Sequence, residues 1–598
     1  MKKRCLSLLL AVACTVSLLA GCGSEEAHRD ADGAHTGKHE PITIQSPFRD
    51  LSPFLKVLEE QYPEIQLEVI PYSGANTTAY LQAELRAGDI PDIYVATVYV
   101  PGLEDLSDRL LDLSTYDFTN RYAEARLREV SDNGAIYMLP TSFTCLGITY
   151  NKTLLERNGW ALPNTFAELE ELAVKAREAG YELALDQISL PGYGFQYLCN
   201  ILDTTFLNTL EGHDWQRRFL RGEATVRGTP EMMEALQTLE RWRELGMLNG
   251  SSDGSADSET KAKMAEGNTL FMLGTTNNFK EGESDCEFGL MPYLSADGTQ
   301  NALIMNVSRY IGLNRQLADA GNEQKLADAI HVMEVLSTVE GLTEMNKGLN
   351  NSTLLPLRDY VIPEDSYYKQ VEGQLNAGLT APFIYNGWEE LIVPVGDVML
   401  DYIKGKADID DVIDAFDSNQ SRLTDNSAAV YTTVTEKLDT ADCARLVGIC
   451  FCEATGADMA LISLNKWYRT SGDEVSDLNL EGVSGALFPL PTTDQEITTI
   501  LPTGWNGHIK TVTLTGKRVR EIAEAGYDRG GMIFPYQLVT PEGMDIDDDT
   551  VYTVVICGAS DEVAQEGKLT ETDVLGLTAA QTYLSRFETL SKKDIRWE

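Results

Sequence analysis

Few residues of this chain have the types and the spacing that metal binding or redox chemistry requires. Seven of the ten cysteines follow the N-terminal segment, and they include no Cys-x-x-Cys pair, so neither a zinc site nor a dithiol redox site is predicted. The acidic segment Asp545–Asp549 lacks the glycine and the distal glutamate of an EF-hand loop, and we expect a solvated turn there. The sequence therefore predicts no metal and no cofactor.

The composition excludes two classes of partner. The chain has 598 residues with 43% hydrophobic content, which is enough for several folded units. It carries 92 acidic and 48 basic residues, a net charge of −44. Because such a surface repels phosphate backbones and anionic lipid headgroups, nucleic acid is excluded as a partner, and any attachment to a membrane needs another source.

The N-terminus has the features of a segment that attaches a protein to a membrane. Lys2, Lys3 and Arg4 precede a short apolar run that ends at Leu19, as in a signal peptide. The segment Leu19-Ala20-Gly21-Cys22 resembles the lipobox of bacterial lipoproteins. The resemblance implies that residues 1–21 are cleaved and that the Cys22 sulfur carries a diacylglyceryl group, which gives stable anchoring outside the cytoplasm at the cell membrane. Residues 22–40 are polar and are predicted to be a flexible tether.

The elements that follow alternate between strands and helices. The apolar pattern predicts a strand at Ile42–Ile44, a helix at Pro53–Tyr62, a strand at Ile65–Ile70, a helix at Thr78–Ala87 and a strand at Ile93–Ala96. This order indicates an α/β fold with a largely parallel sheet, continuing to about residue 428. Ligands of such sheets lie beyond the carboxyl ends of the strands, so the residues just after each strand are the candidates.

Residues 41–428 resemble the extracellular solute-binding proteins of sugar ABC importers, the family 1 type. The matching segments, in chain order, are Gly88 with Pro91-Asp92, Gly134–Pro140, Tyr150-Asn151-Lys152, Gly159 with Leu162–Phe166, Lys263–Met272 and Phe288–Pro292. The resemblance implies two α/β lobes that close on a solute, joined by crossing segments at Tyr150–Lys152 and near Cys286–Pro292. It also implies a sugar as solute and a membrane-embedded ABC permease as partner.

A sugar offers apolar ring faces and many hydroxyls, so its cleft needs aromatic side chains together with hydrogen-bonding groups. Residues of these types follow the predicted strands of each lobe. The candidates are Phe48, Asp50, Tyr72, Ser73, Thr97, Tyr99, Ser142, Phe143, Asn277, Arg309, Tyr385 and Trp388. An aromatic residue in an α/β protein is also a frequent core residue, and that alternative stays open for each ring here.

Residues 440–598 resemble a different family, the C-terminal domain of 5′-nucleotidases. The resemblance is carried by Thr455–Ile462, by Leu501-Pro502 with Asn506, and by Val551–Val554. The nucleotide-contacting segment of that family corresponds to Ser463–Arg469, where the glycine pair is missing and Asn465 and Arg469 remain as candidates. No metallophosphatase domain accompanies it, so we do not expect an enzyme.

The sequence thus predicts a two-lobed periplasmic-binding-protein-like fold followed by a separate α+β domain. The predicted function is a lipid-anchored extracellular protein that captures a sugar or oligosaccharide for an ABC importer. Two alternatives remain at this point: a nucleoside- or nucleotide-binding surface protein, and a surface adhesin or sensor accessory without a transport role.

Overall fold

The structure is a computed structural model of the whole chain. It describes residues 38–46, 51–72, 76–99, 106–274, 284–347, 353–383, 387–424, 429–464, 481–502, 507–529 and 532–597. Residues 38–40, at the end of the predicted tether, lie against the folded part. There the His39 backbone N–H donates to the Glu64 carbonyl at 2.9 Å, and the His39 ring contacts Asp328.

The first lobe is built on a mixed sheet. Its strands are β1 (Ile42–Ser46), β2 (Leu67–Pro71), β3 (Ile93–Ala96), β6 (Leu139–Leu146), β11 (Leu303–Leu313) and β12 (Thr380–Pro382), in the order β12-β11-β3-β1-β2 with β6 paired to β11. Strands β2 and β3 run parallel to β1, whereas β11 is antiparallel to β3 and β6. The parallel part agrees with the prediction, and the return of the chain in β11 makes the rest antiparallel.

Helices cover this sheet where apolar side chains recur at helical spacing. Helix α2 (Thr77–Ala87) is preceded by Asn76, whose side chain accepts the Ala79 N–H, and is followed by Gly88, whose φ of 72° ends the right-handed helix. The helices of this lobe are α1 (Ser52–Gln61), α2 (Thr77–Ala87), α3 (Glu124–Glu129), α10 (Glu323–Leu336), α11 (Val339–Asn346) and α12 (Glu372–Asn376), with a short hairpin of β4 (Ser131–Asp132) and β5 (Ala135–Ile136) after α3.

The second lobe has its own sheet and its own core. The strands β7 (Ile148–Asn151), β8 (Glu182–Asp186), β9 (Thr269–Leu273) and β10 (Phe288–Met291) pair in the order β10-β7-β9-β8. The helices are α4 (Lys152–Asn158), α5 (Phe166–Glu178), α6 (Pro191–Leu202), α7 (Leu210–Leu220), α8 (Pro230–Leu245), α9 (Asp257–Ala265), α13 (Ile392–Ile403), α14 (Ile409–Asn419) and α15 (Ser421–Thr424). Buried Trp215, Trp242 and Trp388 lie at the centre of its core.

The chain crosses between the lobes at positions shifted from the predicted ones. Strand β6 of the first sheet leads into β7 of the second sheet at Gly147, so the predicted crossing Tyr150–Lys152 lies inside the second lobe. Strand β10 also pairs within the second sheet, and the chain returns to the first sheet only at Leu303. Tyr150, Asn151 and Phe288–Met291 therefore pair within the second-lobe sheet. The crossings themselves lie at Gly147 and just before Leu303.

Residues 429–597, here called the C-terminal part, form two larger sheets and the two-stranded sheet β17-β18 where they are described. One of the larger sheets has the order β19-β14-β20-β16-β21 and the other β15-β13-β22. The strands are β13 (Thr432–Val434), β14 (Met459–Ser463), β15 (Pro491–Thr492), β16 (His508–Thr515), β17 (Tyr527–Arg529), β18 (Met532–Phe534), β19 (Tyr536–Val539), β20 (Val551–Cys557), β21 (Thr570–Leu575) and β22 (Thr589–Leu590), and the helices are α16 (Thr440–Thr455), α17 (Asp494–Ile500), α18 (Gly516–Ala525), α19 (Asp561–Glu566) and α20 (Gly576–Leu584).

The C-terminal part packs on helix α2 of the first lobe. Arg86 of α2 donates to Glu496 of α17 at 2.6 Å, and Lys437 contacts Asp89 at 2.5 Å. Phe488 lies within the apolar core of the first lobe. One contact also reaches the second lobe, where the Gln495 amide donates to Glu390 at 3.2 Å. Helix α17 therefore touches both lobes.

Candidate ligand-binding site

A cavity of about 220 Å³ lies between the two lobes. Its walls come from α3, its neighbouring loops and the strands β11 and β12 of the first lobe, and from α7 of the second lobe. The lining residues are Tyr99, Arg128, Glu129, Ser131, Asn208, His213, Gln216, Arg217, Leu220, Met305, Tyr310, Thr380, Pro382, Phe383 and Trp388. Because both lobes supply walls, a molecule bound here would contact both and favour their approach.

A smaller cavity of about 60 Å³ adjoins the first lobe and shares Tyr99 with the larger one. Thr78, Thr97 and Met138 line it, together with Gly387 from the second lobe. The Thr78 and Thr97 hydroxyls are 2.8 Å apart and hydrogen-bonded to each other. Of these two cavities, the larger has charged side chains in its walls, and it is the candidate site.

Arg126 organises the first-lobe wall of the cavity. It is buried, donates to the Thr380 hydroxyl at 2.7 Å, and lies 3.1 Å from a carboxylate oxygen of Glu129. Its guanidinium also lies over the Phe143 ring, 5.1 Å from the centroid. Burial raises the pKa of Glu129 to about 7, against the opposing effect of Arg126 and Arg128. Glu129 is thus a carboxylate whose charge changes near neutral pH.

Helix α7 forms the second-lobe wall. His213, Gln216, Arg217 and Leu220 recur at three- and four-residue spacing, which places them on one face of the helix. The Thr209 hydroxyl caps this helix by accepting the Gly212 N–H at 3.0 Å. Desolvation lowers the pKa of His213, and the charge of Arg217 one turn away lowers it further. The imidazole therefore offers a neutral donor and acceptor at neutral pH.

Aromatic rings complete the walls. Tyr99 and Tyr310 lie with ring centroids 5.7 Å apart, and the Tyr99 hydroxyl donates to the Val130 carbonyl at 3.1 Å. Burial raises the pKa of both phenols, so they stay neutral at physiological pH. Phe383 is half-buried and lies just beyond β12. Aromatic faces beside amide, hydroxyl and guanidinium groups are the surroundings that a sugar ring requires.

Three of the predicted ligand-binding residues line these cavities: Thr97, Tyr99 and Trp388. Trp388 is only 1% exposed, and its ring packs among Phe195, Trp215, Phe219 and Phe416, so most of its surface belongs to the core. Tyr99, which lines both cavities, is therefore the better candidate of the two predicted aromatic residues for contact with a ligand.

Four predicted residues lie elsewhere. Ser142 is buried and donates to Asn346 at 2.9 Å, while Phe143 packs beneath Arg126. Arg309 is half-buried and donates to the neighbouring Ser308 carbonyl. Tyr72 is buried under the C-terminal part, where its hydroxyl donates to the Thr499 carbonyl at 3.1 Å. The remaining predicted residues, namely Cys22, Phe48, Asp50, Ser73, Asn277, Tyr385, Asn465 and Arg469, lie outside the described residues.

Most of the charged wall was not among the predicted residues. Arg128, His213 and Arg217 carry no strand-end signal, because α3 and α7 are helices. The one available signal is the spacing of His213, Gln216 and Arg217, three polar residues on the same face as the apolar Leu220. Only tertiary packing brings that face opposite α3.

Neither a metal cluster nor a membrane-spanning segment is found where the chain is described. Within the described ranges, no group of three or more His, Cys, Asp or Glu side chains could hold a metal ion. No helix among those ranges is long and apolar enough to cross a bilayer. A surface depression of about 810 Å³ is lined by residues of α13 and α14 and of their neighbours in the second lobe, so it belongs to one lobe alone.

Known proteins similar to this chain include two that are named for the sugars they bind. Residues 54–285 match the family described as bacterial extracellular solute-binding protein. The chain is 21% identical over 269 residues to the maltodextrin-binding protein MdxE of Bacillus subtilis (strain 168), covering 44% of this chain and 62% of MdxE. It is 25% identical over 185 residues to the multiple sugar-binding protein of Streptococcus mutans, covering 29% of this chain and 41% of that protein. The chain thus spans less than two thirds of either relative.

A solved structure extends the likeness to the fold. A family 1 extracellular solute-binding protein from Bifidobacterium longum subsp. infantis has a TM-score of 0.53 and 19% identity, over 64% of this chain and 100% of that one. At this identity the likeness establishes the fold alone. Residues 54–285 match the family of bacterial extracellular solute-binding proteins, and the lobes that contain them have the mixed α/β fold of such proteins.

Proposed function

We propose that this protein binds a saccharide between its two lobes and delivers it to an ABC permease in the membrane. The observation that carries the proposal is the cavity walled by both lobes, in which aromatic rings lie beside amide, hydroxyl and guanidinium groups. The named relatives that bind maltodextrin or multiple sugars support the same ligand class. The function is non-catalytic, since capture and release need only the closing of the lobes.

The remaining parts of the proposal rest on sequence. Cys22 follows a signal peptide of residues 1–21 and carries a diacylglyceryl group. The polar residues that follow it form a tether that reaches the folded part near residue 38. The protein is thus held outside the cytoplasm, where solute is available. Residues 41–428 form the solute-binding unit, and residues 440–598 form an additional domain that resembles the C-terminal domain of 5′-nucleotidases.

A thermal-shift screen tests the ligand class. The chain beginning at Gly23 is heated with mono- and oligosaccharides, nucleosides and amino acids in parallel. A saccharide present at a hundredfold its Kd stabilises the folded state by about 2.7 kcal/mol, which gives a measurable rise in Tm. Stabilisation by nucleosides alone would contradict the proposal and favour a nucleoside-binding function.

A pair of variants then locates the site. Phe383→Ala removes a half-buried ring from the cavity wall, and we expect it to abolish the saccharide-induced rise in Tm. Phe587→Ala removes a similarly half-buried ring from the C-terminal part and serves as the control. An equal loss in both variants would show that the rise in Tm does not report on the cavity.

A further inference from the structure

The cavity between the lobes is basic, although the molecule as a whole is strongly acidic. Two guanidinium groups line it, Arg128 from the first lobe and Arg217 from the second, beside the neutral imidazole of His213. The whole chain carries a net charge of −44. A local excess of guanidinium groups in such a chain is therefore a property of this site and not of the surface in general.

Among the described residues, the carboxylate that lines the cavity is Glu129, and it forms no ion pair with Arg128 or Arg217. Glu129 is 3.1 Å from Arg126, a buried residue behind the wall, and is paired with it. Within the described ranges, no carboxylate lies at ion-pair distance from Arg128 or Arg217, and both side chains are exposed. Two guanidinium groups thus face the cavity without an acidic partner from those ranges.

The cavity-facing side of α7 carries one full positive charge, that of Arg217. His213 lies four residues before Arg217 on the same face, and the Arg217 charge is one of the causes that lower the pKa of His213. Arg218, the next residue, lies on another face and pairs with Asp214 at 3.0 Å, which is an ordinary helical ion pair. The neighbouring arginines therefore differ in surroundings, and the one that faces the cavity is the one that lacks a carboxylate.

We propose that the bound saccharide carries an anionic group, a carboxylate or a phosphate, which is held by Arg128 and Arg217 from opposite lobes. A guanidinium pairs with a carboxylate or a phosphate through two parallel N–H donors, and such charge-assisted bonds are stronger than neutral ones. Tyr99, Tyr310 and Phe383 supply apolar faces for the sugar ring beside this charge. The inference rests on the proposed saccharide-binding function and narrows its ligand class.

This geometry gives the anionic group a role in lobe closure. Arg128 belongs to α3 and Arg217 to α7, so one ligand charge meets both guanidinium groups only when the lobes are close together. A ligand shifts a conformational equilibrium by its difference in affinity for the two states. The anionic group is therefore the part of the ligand that favours the closed state.

The test is isothermal titration calorimetry on the chain beginning at Gly23 with matched saccharides. The probes are digalacturonate, diglucuronate and dimannuronate, each beside its carboxyl-reduced neutral counterpart, and the 6-phosphates of galactose, glucose and mannose beside the free sugars. We expect at least one acidic probe to bind about ten- to a hundredfold more tightly than its neutral counterpart, as one or two charge-assisted pairs would give. Whether the uronate or the phosphate is preferred identifies the anionic group.

Two substitutions connect the preference to the named residues. Arg128→Gln and Arg217→Gln are each expected to remove most of the acidic preference. Arg241→Gln on α8, which breaks a surface pair with Glu170 of α5, is expected to leave it unchanged. All three sites are exposed, so an unchanged Tm verifies that the variants are folded.

The outcomes separate the two proposals. Equal binding of neutral and acidic probes would overturn the anionic ligand and leave the saccharide-binding function standing. Acidic preference that survives in both glutamine variants would also overturn the inference, because the charge would then be held elsewhere. An absence of binding by every saccharide here and in the thermal-shift screen would overturn the saccharide-binding function itself.

Discussion

At the residue scale, Arg126 holds the first-lobe wall of the cavity in place. Its guanidinium bonds to Thr380, lies near Glu129 and covers the Phe143 ring. These contacts connect α3 with Thr380, the first residue of β12, and β12 leads directly to Phe383. A buried arginine with fixed partners positions its neighbours and does not contact ligand itself, since it is absent from the cavity lining.

Trp388 likewise supports the cavity wall from the core and offers little of its own surface to a ligand. We expect Trp388→Ala to destabilise the second lobe by about 3–5 kcal/mol, because the ring is fully packed among Trp215, Phe219 and Phe416. Thermal unfolding monitored by circular dichroism measures the loss. A Tm within about 2 °C of the unsubstituted chain would contradict the assignment of this ring to the core.

Glu84 on α2 gives a prediction about pH. Its carboxyl is buried, and desolvation raises its pKa from 4.5 to about 8, opposed by Lys437 of the C-terminal part. The folded state therefore binds a proton that the unfolded state releases, so the free energy of unfolding falls as pH rises from about 4.5 to 8. Glu84→Gln should flatten this fall and raise the Tm at pH 8 relative to the unsubstituted chain.

The control for that experiment is Glu60→Gln, which changes an exposed glutamate on α1 of the same lobe. Urea unfolding between pH 4.5 and 8.5 measures both variants. If the unsubstituted chain and Glu84→Gln show the same dependence of unfolding free energy on pH, Glu84 does not take up a proton on folding.

Site residues could be predicted from sequence only where a strand ends. Tyr99 and Thr97 follow β3, and the rule that ligands lie beyond the carboxyl ends of strands finds both. The rule also selects Tyr72, which follows β2, but the C-terminal part covers that position. Sequence offers no means of knowing which strand ends a distant segment covers.

At the element scale, the local rules are reliable. The predicted helix Thr78–Ala87 is observed as Thr77–Ala87, and the predicted strand Ile93–Ala96 is observed with the same ends. Both depend on local signals, namely the cap at Asn76, the stop at Gly88 and an unbroken apolar run. The placement of α7 opposite α3 depends instead on contacts between residues about ninety positions apart, which periodicity does not encode.

Gly147 is the element-scale position at which the first and second sheets are joined. A Cβ atom there would come within 2.4 Å of the Met291 carbonyl oxygen. We expect Gly147→Ala to shift this crossing and lower the free energy of unfolding by about 1–3 kcal/mol, as overpacked sites do. Chemical unfolding followed by fluorescence measures the change.

Gly373→Ala is the matched control for that substitution. Gly373 lies in α12 with nothing within 4 Å of the added Cβ, so alanine should be neutral or stabilising there. A Gly147→Ala variant as stable as Gly373→Ala would mean that the crossing is not closely packed.

At the scale of the whole molecule, the C-terminal part is docked on the first lobe through aromatic rings. Tyr72 and Tyr80 stack with centroids 4.0 Å apart, and Phe488 lies 5.5 Å from Tyr80. Gly485 approaches this pair so closely that a Cβ would come within 2.8 Å of the Tyr72 ring. Such packing indicates a fixed relation between α2 and residues 485–499.

We expect Tyr80→Ala to loosen that relation without changing the cavity. Hydrogen–deuterium exchange should quicken in α17, because the substitution removes the ring that lies between Tyr72 and Phe488. Tyr181→Ala, which removes a ring that packs on Trp160 in the second lobe, is the control and should leave α17 unchanged. Unchanged exchange of α17 in both variants would count against the docking.

The central claim is that one saccharide engages both lobes of this molecule. Hydrogen–deuterium exchange of the chain beginning at Gly23, measured with and without the saccharide that raises its Tm, tests this most directly. We predict slower exchange in α3 and α7 together, and in the residues around Thr380–Phe383, with α19 and α20 unaffected. Slowing confined to one lobe, or to the C-terminal part, would contradict binding between the lobes.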